Sequence, residues 1–348
     1  MKALVYTDRN ECAIQDRPIP TIQSPTDAIV KMQHTTISGT DLHILSGDLP
    51  VVEPGRVLGH EGIGTIASLG SAVSERDLYM GDQVLISCIT SCGVCAACRR
   101  SLTSHCHSGG GWALGCVIDG TQAEYVRIPH AASSLHRLPT NIDARACVAF
   151  SAALPTGYEC GTLHANVQPG DRVAIVGAGA VGLSALLTAR LYTPSLIVVI
   201  DLDETRLAHA KRLGADEVIN PVRSDAMERL DELSGEHGFD SAIEAVGRPQ
   251  TFELCQRLVG PGGSIANIGV HGQRAEIVLD RMWDHNINIK TGLVDTVTIP
   301  TLLKLYQSRK IDPSKLFTHQ YRFSDIVEAY HSFQHPAKDG MLKVEIQF

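Results

Sequence analysis

Four cysteines, Cys92, Cys95, Cys98 and Cys106, lie within fifteen residues, separated by two, two and seven intervening positions. Zinc takes four soft ligands in a tetrahedron, and short spacings let a single loop wrap the ion. With all four positions filled by thiolates, such a site is closed and therefore structural. A disulfide pair and a redox Cys-x-x-Cys are the other uses of this pattern. The remaining cysteines, Cys12, Cys88, Cys116, Cys147, Cys160 and Cys255, are scattered and read as small buried hydrophobes.

A second constellation is Gly177, Gly179 and Gly182. The first glycine permits a tight turn, the second lets backbone approach a pyrophosphate, and the third permits close helix–strand packing. The free N–H groups of the helix that opens there suit a phosphate. Asp201 follows at the end of the next apolar run, about 20 residues on, where a carboxylate accepts from a ribose 2′-OH. The same carboxylate would repel a 2′-phosphate, so NAD(H) is expected rather than NADP(H). Asp203 lies past the strand end, in the cap of the following helix.

These residues need particular elements around them. Arg172–Val176 predicts a strand, 180–192 a helix, 196–201 a strand, and Glu204–Leu213 a helix ended by Gly214. Residues 217–220, 241–245 and 264–268 continue the strands, so the alternation predicts βαβ units and a parallel sheet. Upstream, glycine, proline and short β-like runs (2–6, 27–33, 64–69, 82–87) predict a rolled, mostly antiparallel domain. The last fifty residues lose the alternation. They are expected to contain helices at 299–307 and 323–333 and a final strand at 342–348.

At 348 residues the chain exceeds what one core usually fills. Its net charge of −8 argues against non-specific nucleic-acid binding and leaves no basic stripe for a membrane. The longest uncharged run, 173–189, nearly reaches transmembrane length but is broken by glycines. Residues 1–10 have no apolar segment of a signal peptide, and clustered cysteines without one favour a metal over disulfides. A reducing, cytoplasmic location is expected.

Together these features resemble the zinc-containing alcohol dehydrogenases of the medium-chain dehydrogenase/reductase superfamily. The likeness rests on Ser38-Gly39-Thr40-Asp41-Leu42-His43, Gly59-His60-Glu61-Gly62, the four-cysteine loop, Asp119-Gly120-Thr121-Gln122-Ala123-Glu124-Tyr125, Pro155-Thr156-Gly157-Tyr158 and the glycine fingerprint. It implies an α/β chain with a GroES-like catalytic domain at 1–153, a Rossmann NAD-binding domain at 154–295, and a segment at 296–348 that completes the first. It also implies a small-molecule substrate, homodimers or homotetramers, and a cofactor in the cleft between domains.

The family carries a catalytic zinc as well. Its ligand positions fall on Ser38, His60 and Ala152, with Glu61 adjacent. Two of the three are changed. A serine hydroxyl is neutral and hard and seldom replaces thiolate, and alanine has no donor. The resemblance also gives Thr40 and His43 the places of a proton relay. Trp112 takes that of a pocket-wall aromatic, with a core role as the alternative. Lys343 takes that of a pyrophosphate contact, with a solvated lysine as the alternative.

The expectation is an NAD(H)-dependent oxidoreductase without catalytic zinc, reducing an activated C=C, C=N or C=O acceptor, with Ser38, Thr40, His43, His60 and Glu61 as possible proton donors. A conventional zinc alcohol dehydrogenase is one alternative. A repurposed cyclase or isomerase, or an inactive binding protein on the same fold, is another.

Overall fold

The computed structural model describes residues 1–73, 78–140, 142–335 and 340–348. The chain divides into two compact units. One comprises Met1–Ala152, Asp295–Ser308 and Phe317–Phe348; the other comprises Ala153–Val294 and Arg309–Leu316. The short return Arg309–Leu316 thus groups with the second unit, apart from the rest of 296–348. Its Pro313 and Leu316 are buried and pack on the helix Ala180–Ala189.

The first unit is built on β strands. β1 (Lys2–Asp8) and β2 (Glu11–Asp16) form an antiparallel hairpin. β3 (Ala28–Ile37), β4 (Gly62–Leu69), β5 (Gln83–Ile86), β6 (Tyr125–Ile128) and β7 (Leu135–Arg137) follow in sequence. They join a seven-stranded sheet that the C-terminal part of the chain completes. Its path runs β14-β15-β3-β4-β5-β7, with β6 also on β3, where β14 is Phe317–Arg322 and β15 is Lys343–Gln347. β3 is ten residues long and pairs with β4, β6 and β15, so it is the spine of this unit. One face of the rolled sheet buries Val30, Met32, Ile66, Val84, Ile86 and Val126.

The second unit is a six-stranded parallel sheet. Its strands are β8 (Arg172–Val176), β9 (Leu196–Ile200), β10 (Glu217–Ile219), β11 (Phe239–Glu244), β12 (Val259–Asn267) and β13 (Asn288–Thr291), in the order β10-β9-β8-β11-β12-β13. Counted within the unit that order is 3-2-1-4-5-6, the arrangement of a dinucleotide-binding Rossmann sheet. The central strands are near-continuous apolar runs because helices cover both faces of a parallel sheet. RVAIV and LIVVI are buried along almost their whole length. Crossover helices span Ala180–Ala189, Glu204–Leu213, Ala226–Ser234 and Pro249–Leu258. Among the described residues no helix is long and apolar enough to cross a membrane.

Candidate active site and cofactor fingerprint

The glycine fingerprint sits where β8 turns into the helix Ala180–Ala189. Gly177 has φ 108°, a left-handed conformation that a side chain would strain. A Cβ on Gly182 would collide with the carbonyl of Gly177, so only glycine lets the helix approach the strand so closely. A Cβ on Gly179 would meet nothing within 4 Å, which leaves open space over the backbone there. Gly179 is the N-cap and supplies no side-chain bond, so the helix N-terminus keeps free N–H groups. Asp201 follows β9. Its Oδ2 accepts from Ala178 N at 2.6 Å and its Oδ1 from Asp203 N at 2.9 Å, which fixes the carboxylate beside the fingerprint. Asp203 is the N-cap of Glu204–Leu213 and accepts from Thr205 N and Arg206 N. These residues fit a dinucleotide.

The four cysteines also come together. Their Sγ atoms all lie within 4.8 Å of one another, and Cys92 Sγ is 3.9 Å from Cys98 Sγ. Bonds of about 2.3 Å to a central zinc place tetrahedral sulfurs about 3.8 Å apart. None of the ten cysteines is in a disulfide. Cys106 Sγ accepts from Cys92 N at 3.3 Å, and Cys92 Sγ accepts from Cys95 N at 3.3 Å. The Cys92 thiol is pulled down to about 5, first by the backbone N–H of Val94 and then by Ser108. Burial pushes Cys98 up to about 12. The loop is anchored at its far end by Asp295, whose Oδ1 accepts from Ser104 N (2.8 Å) and Ser104 Oγ (2.7 Å), while Thr103 Oγ1 bonds its carbonyl. A closed, four-thiolate zinc site fits this geometry.

The region of Ser38, His60 and Ala152 is organised differently. β3 ends at Ile37, and Ser38 caps the helix Gly39–Ser46 in a capping box: Asp41 Oδ2 accepts from Ser38 N at 2.8 Å, and Ser38 Oγ accepts from Asp41 N at 3.4 Å. Thr40 and His43 stand three residues apart on this helix, on one face. His43 Nδ1 bonds Asp48 Oδ2 at 3.0 Å, and Ser46 Oγ donates to the same oxygen at 2.7 Å. Asp41 is fully buried, and one of its oxygens, Oδ1, has no hydrogen-bond partner among the described residues. Burial raises its carboxyl, with the charge of His60 pulling the other way.

His60 and Glu61 precede β4 and are buried. Gly59, with φ 92°, makes the sharp approach possible, since a Cβ there would lie 2.6 Å from Gln122 Cγ. The carbonyl of Glu61 accepts from Thr35 Oγ1 (2.7 Å) and Thr121 Oγ1 (2.8 Å). Ser151 Oγ accepts from Gly62 N at 3.0 Å, which brings Ala152 to the start of β4.

Lys343, which the resemblance gives to a pyrophosphate contact, has a partner within its own unit. It is 2% exposed at the start of β15, and its Nζ pairs with Glu61 Oε2 at 2.6 Å. Thr36 Oγ1 bonds the same carboxylate oxygen, and Gln122 links Thr36 O (3.0 Å) to Tyr330 OH (2.9 Å). Glu61 and Lys343 thus form a buried ion pair within the first unit. Trp112 packs, partly buried, against the core cluster of Leu4, Ile37, Ile44 and Leu58.

At this site the three family ligand positions offer one imidazole, one hydroxyl already engaged in a helix cap, and one methyl group. The donor set does not fit a tightly held zinc. Sequence reasoning missed two residues here. Asp41 was visible in the Ser-x-x-Asp capping pattern; Thr36 carried no signal.

Comparison with known proteins agrees with this architecture. Residues 24–140 match the alcohol dehydrogenase GroES-like domain, and residues 180–308 match the zinc-binding dehydrogenase domain. An alcohol dehydrogenase of Cupriavidus necator is 36% identical, covering 100% of this chain and 98% of that protein. The apo structure of zinc dependent alcohol dehydrogenase 2 from Streptococcus pneumonia is 45% identical, with a TM-score of 0.95, covering 100% of this chain and 98% of that one. A protein of Sinorhizobium meliloti 1021, solved bound to NADP, is 26% identical, with a TM-score of 0.87 over 100% of this chain and 99% of that one. With a Rossmann sheet, a GroES-like domain, a four-thiolate loop and relatives of this kind over its whole length, the chain belongs to the zinc-type alcohol dehydrogenase family of the medium-chain dehydrogenases/reductases and is an alcohol dehydrogenase-like oxidoreductase.

Proposed function

We propose that this protein is an NAD(H)-dependent oxidoreductase that works at the His60 site without a catalytic zinc and reduces an acceptor that is already electrophilic, such as an enone, an iminium or an activated carbonyl. One observation carries the reading: Ser38, Glu61 and Lys343 have their polar groups bound to one another or to the backbone, and Ala152 supplies only a methyl. Without a metal, no Lewis acid there polarises a simple carbonyl or lowers the pKa of an alcohol. The nicotinamide cofactor, when bound, supplies the hydride. The chain's own task is then to supply one proton per turnover to an enone or a carbonyl; an iminium takes the hydride alone. Thr40 and His43, on one helix face, form its path. Asp48 holds His43 through Nδ1, which leaves Nε2 to pass the proton.

NAD(H) is preferred over NADP(H), although one relative was solved with NADP. Support comes from Asp201, whose carboxylate is pinned beside the fingerprint and opposes a 2′-phosphate. Retention of the fingerprint and of Asp201 speaks against a repurposed, non-redox role. The test is a comparison of substrates and cofactors on one preparation. NADH-dependent reduction of enones should exceed oxidation of simple alcohols. Asp201→Ala should erode the preference for NADH over NADPH by about tenfold, or 1.4 kcal/mol. Efficient oxidation of simple alcohols, or tighter NADPH binding by the parent, would contradict the reading.

A further inference from the structure

The carboxyl edge of the six-stranded sheet holds a buried carboxylate that neither the fingerprint nor the His60 site uses. Glu244 ends β11 and is 0% exposed. Its Oε1 accepts three hydrogen bonds, from Val246 N (3.0 Å), Gly247 N (2.9 Å) and Thr251 Oγ1 (2.6 Å). Its Oε2 has no hydrogen-bond donor among the described residues and faces His271 Nε2 at 3.5 Å. His271 Nε2 in turn bonds Asn267 Oδ1 at 2.9 Å, at the end of β12. A buried carboxylate is costly unless hydrogen-bonded, and here the bonds go to the turn at 245–248 and the first turn of the helix Pro249–Leu258.

The fingerprint leans on that turn. A Cβ on Gly177 would lie 2.7 Å from Val246 Cγ2 and 3.0 Å from Ala245 O, and one on Gly182 would lie 3.3 Å from Ala245 Cβ. From the other side, a Cβ on Gly247 would collide with the carbonyl of Val270, and one on Gly269 with Glu244 Oε2 itself. The ends of β8, β11 and β12 therefore meet in backbone contact. The middle turn of the three is fixed by one side chain.

We propose that Glu244 is a positioning residue for dinucleotide binding. By clamping residues 245–248 between the Gly177 turn and the Gly269 loop, it holds the free N–H groups of the fingerprint ready for a pyrophosphate. Ligand-binding loops otherwise belong to the least stable parts of a fold, and ordering them on binding lowers affinity. This inference rests on the assignment of the dinucleotide to Gly177, Gly179 and Gly182, and it adds a residue that touches no part of the ligand.

The test is NADH titration of the full chain by fluorescence, well below its melting temperature, with binding stoichiometry measured alongside. Gly179→Val fills the open space over the backbone and is the control for the site. If that folded variant binds NADH like the parent, the assignment of the site fails, independently of Glu244. With the control behaving, Glu244→Ala should raise the NADH Kd by about tenfold while stoichiometry is kept. Glu244→Gln keeps the shape and a carbonyl acceptor, and should return the Kd to near the parent value. Thr251→Val removes one of the three bonds and should raise the Kd by a smaller factor; it decides the matter if Glu244→Ala does not fold. A merely structural role would lower the melting temperature and leave the Kd of the folded protein unchanged. Parent-like affinity in folded Glu244→Ala, or in Thr251→Val where the alanine variant is unfolded, overturns the proposal.

Discussion

The first unit contains two places where the family resemblance expects zinc, and their side chains have opposite arrangements. In the cysteine loop, four sulfurs converge within 4.8 Å, and backbone N–H groups already favour a thiolate at Cys92. At the His60 site, the polar groups face one another: Ser38 caps a helix, and Glu61 is closed off by Lys343 and Thr36. What separates the two is the kind and number of donors that converge: four thiols in the loop, against one imidazole, one hydroxyl and one methyl at the His60 site.

The largest effect is expected at the loop. Binding free energy of a structural zinc is folding free energy, on the order of 10 kcal/mol in small zinc modules. Cys95→Ser, or a strong chelator, should therefore lower the melting temperature and the zinc content together. Loss of activity without loss of stability would place the metal elsewhere. The larger unit around the loop should keep part of its structure, because Asp295 and the β5–β7 ladder hold its ends.

At the His60 site the corresponding break is Lys343→Met. Removing one partner of a buried ion pair leaves an uncompensated charge and costs about 3–5 kcal/mol. The Glu61→Gln, Lys343→Met double variant should recover much of that loss, as read by denaturant unfolding. No recovery in the double variant would mean that Lys343 acts through some other partner.

The contrast between these two sites was only partly legible in the sequence. Dense local patterns were readable. The thiolate spacing, the glycine fingerprint, Arg172–Val176 and Glu204–Leu213 appear where their residues predict them. Polar edge strands were not. β13 reads Asn-Ile-Lys-Thr with a largely exposed pattern, and β14 reads Phe-Thr-His-Gln-Tyr-Arg; both owe their strand state to a neighbour's backbone and carry no hydrophobic alternation. β2 and β7 were missed for a related reason, being short and half-buried. The bond between Lys343 and Glu61 spans 282 positions, and no local pattern reports such a pairing. Ser38 is the instructive case. Its Ser-x-x-Asp spacing is a helix-cap signal, and the hydroxyl accepts from Asp41 N accordingly.

His136 lies on β7, beside the strand that leads into the cysteine loop, and burial pushes it down to about 4. A depressed histidine stays neutral in the folded state while the unfolded chain takes up a proton near pH 6.5. Its contribution is therefore present above that pH and is lost as pH falls toward 4, by up to about 3 kcal/mol. His136→Gln should flatten this part of the stability profile in urea melts between pH 7 and 4. An unchanged slope would assign acid loss to zinc release from the thiolates instead.

Elemental analysis of the purified protein as it folds in cells decides whether one of the two sites or both hold zinc. About one zinc per chain is expected, removed by Cys95→Ser and unaffected by His60→Ala. Two zinc ions per chain, with the second lost in His60→Ala, would contradict it and return the protein to the conventional zinc alcohol dehydrogenases.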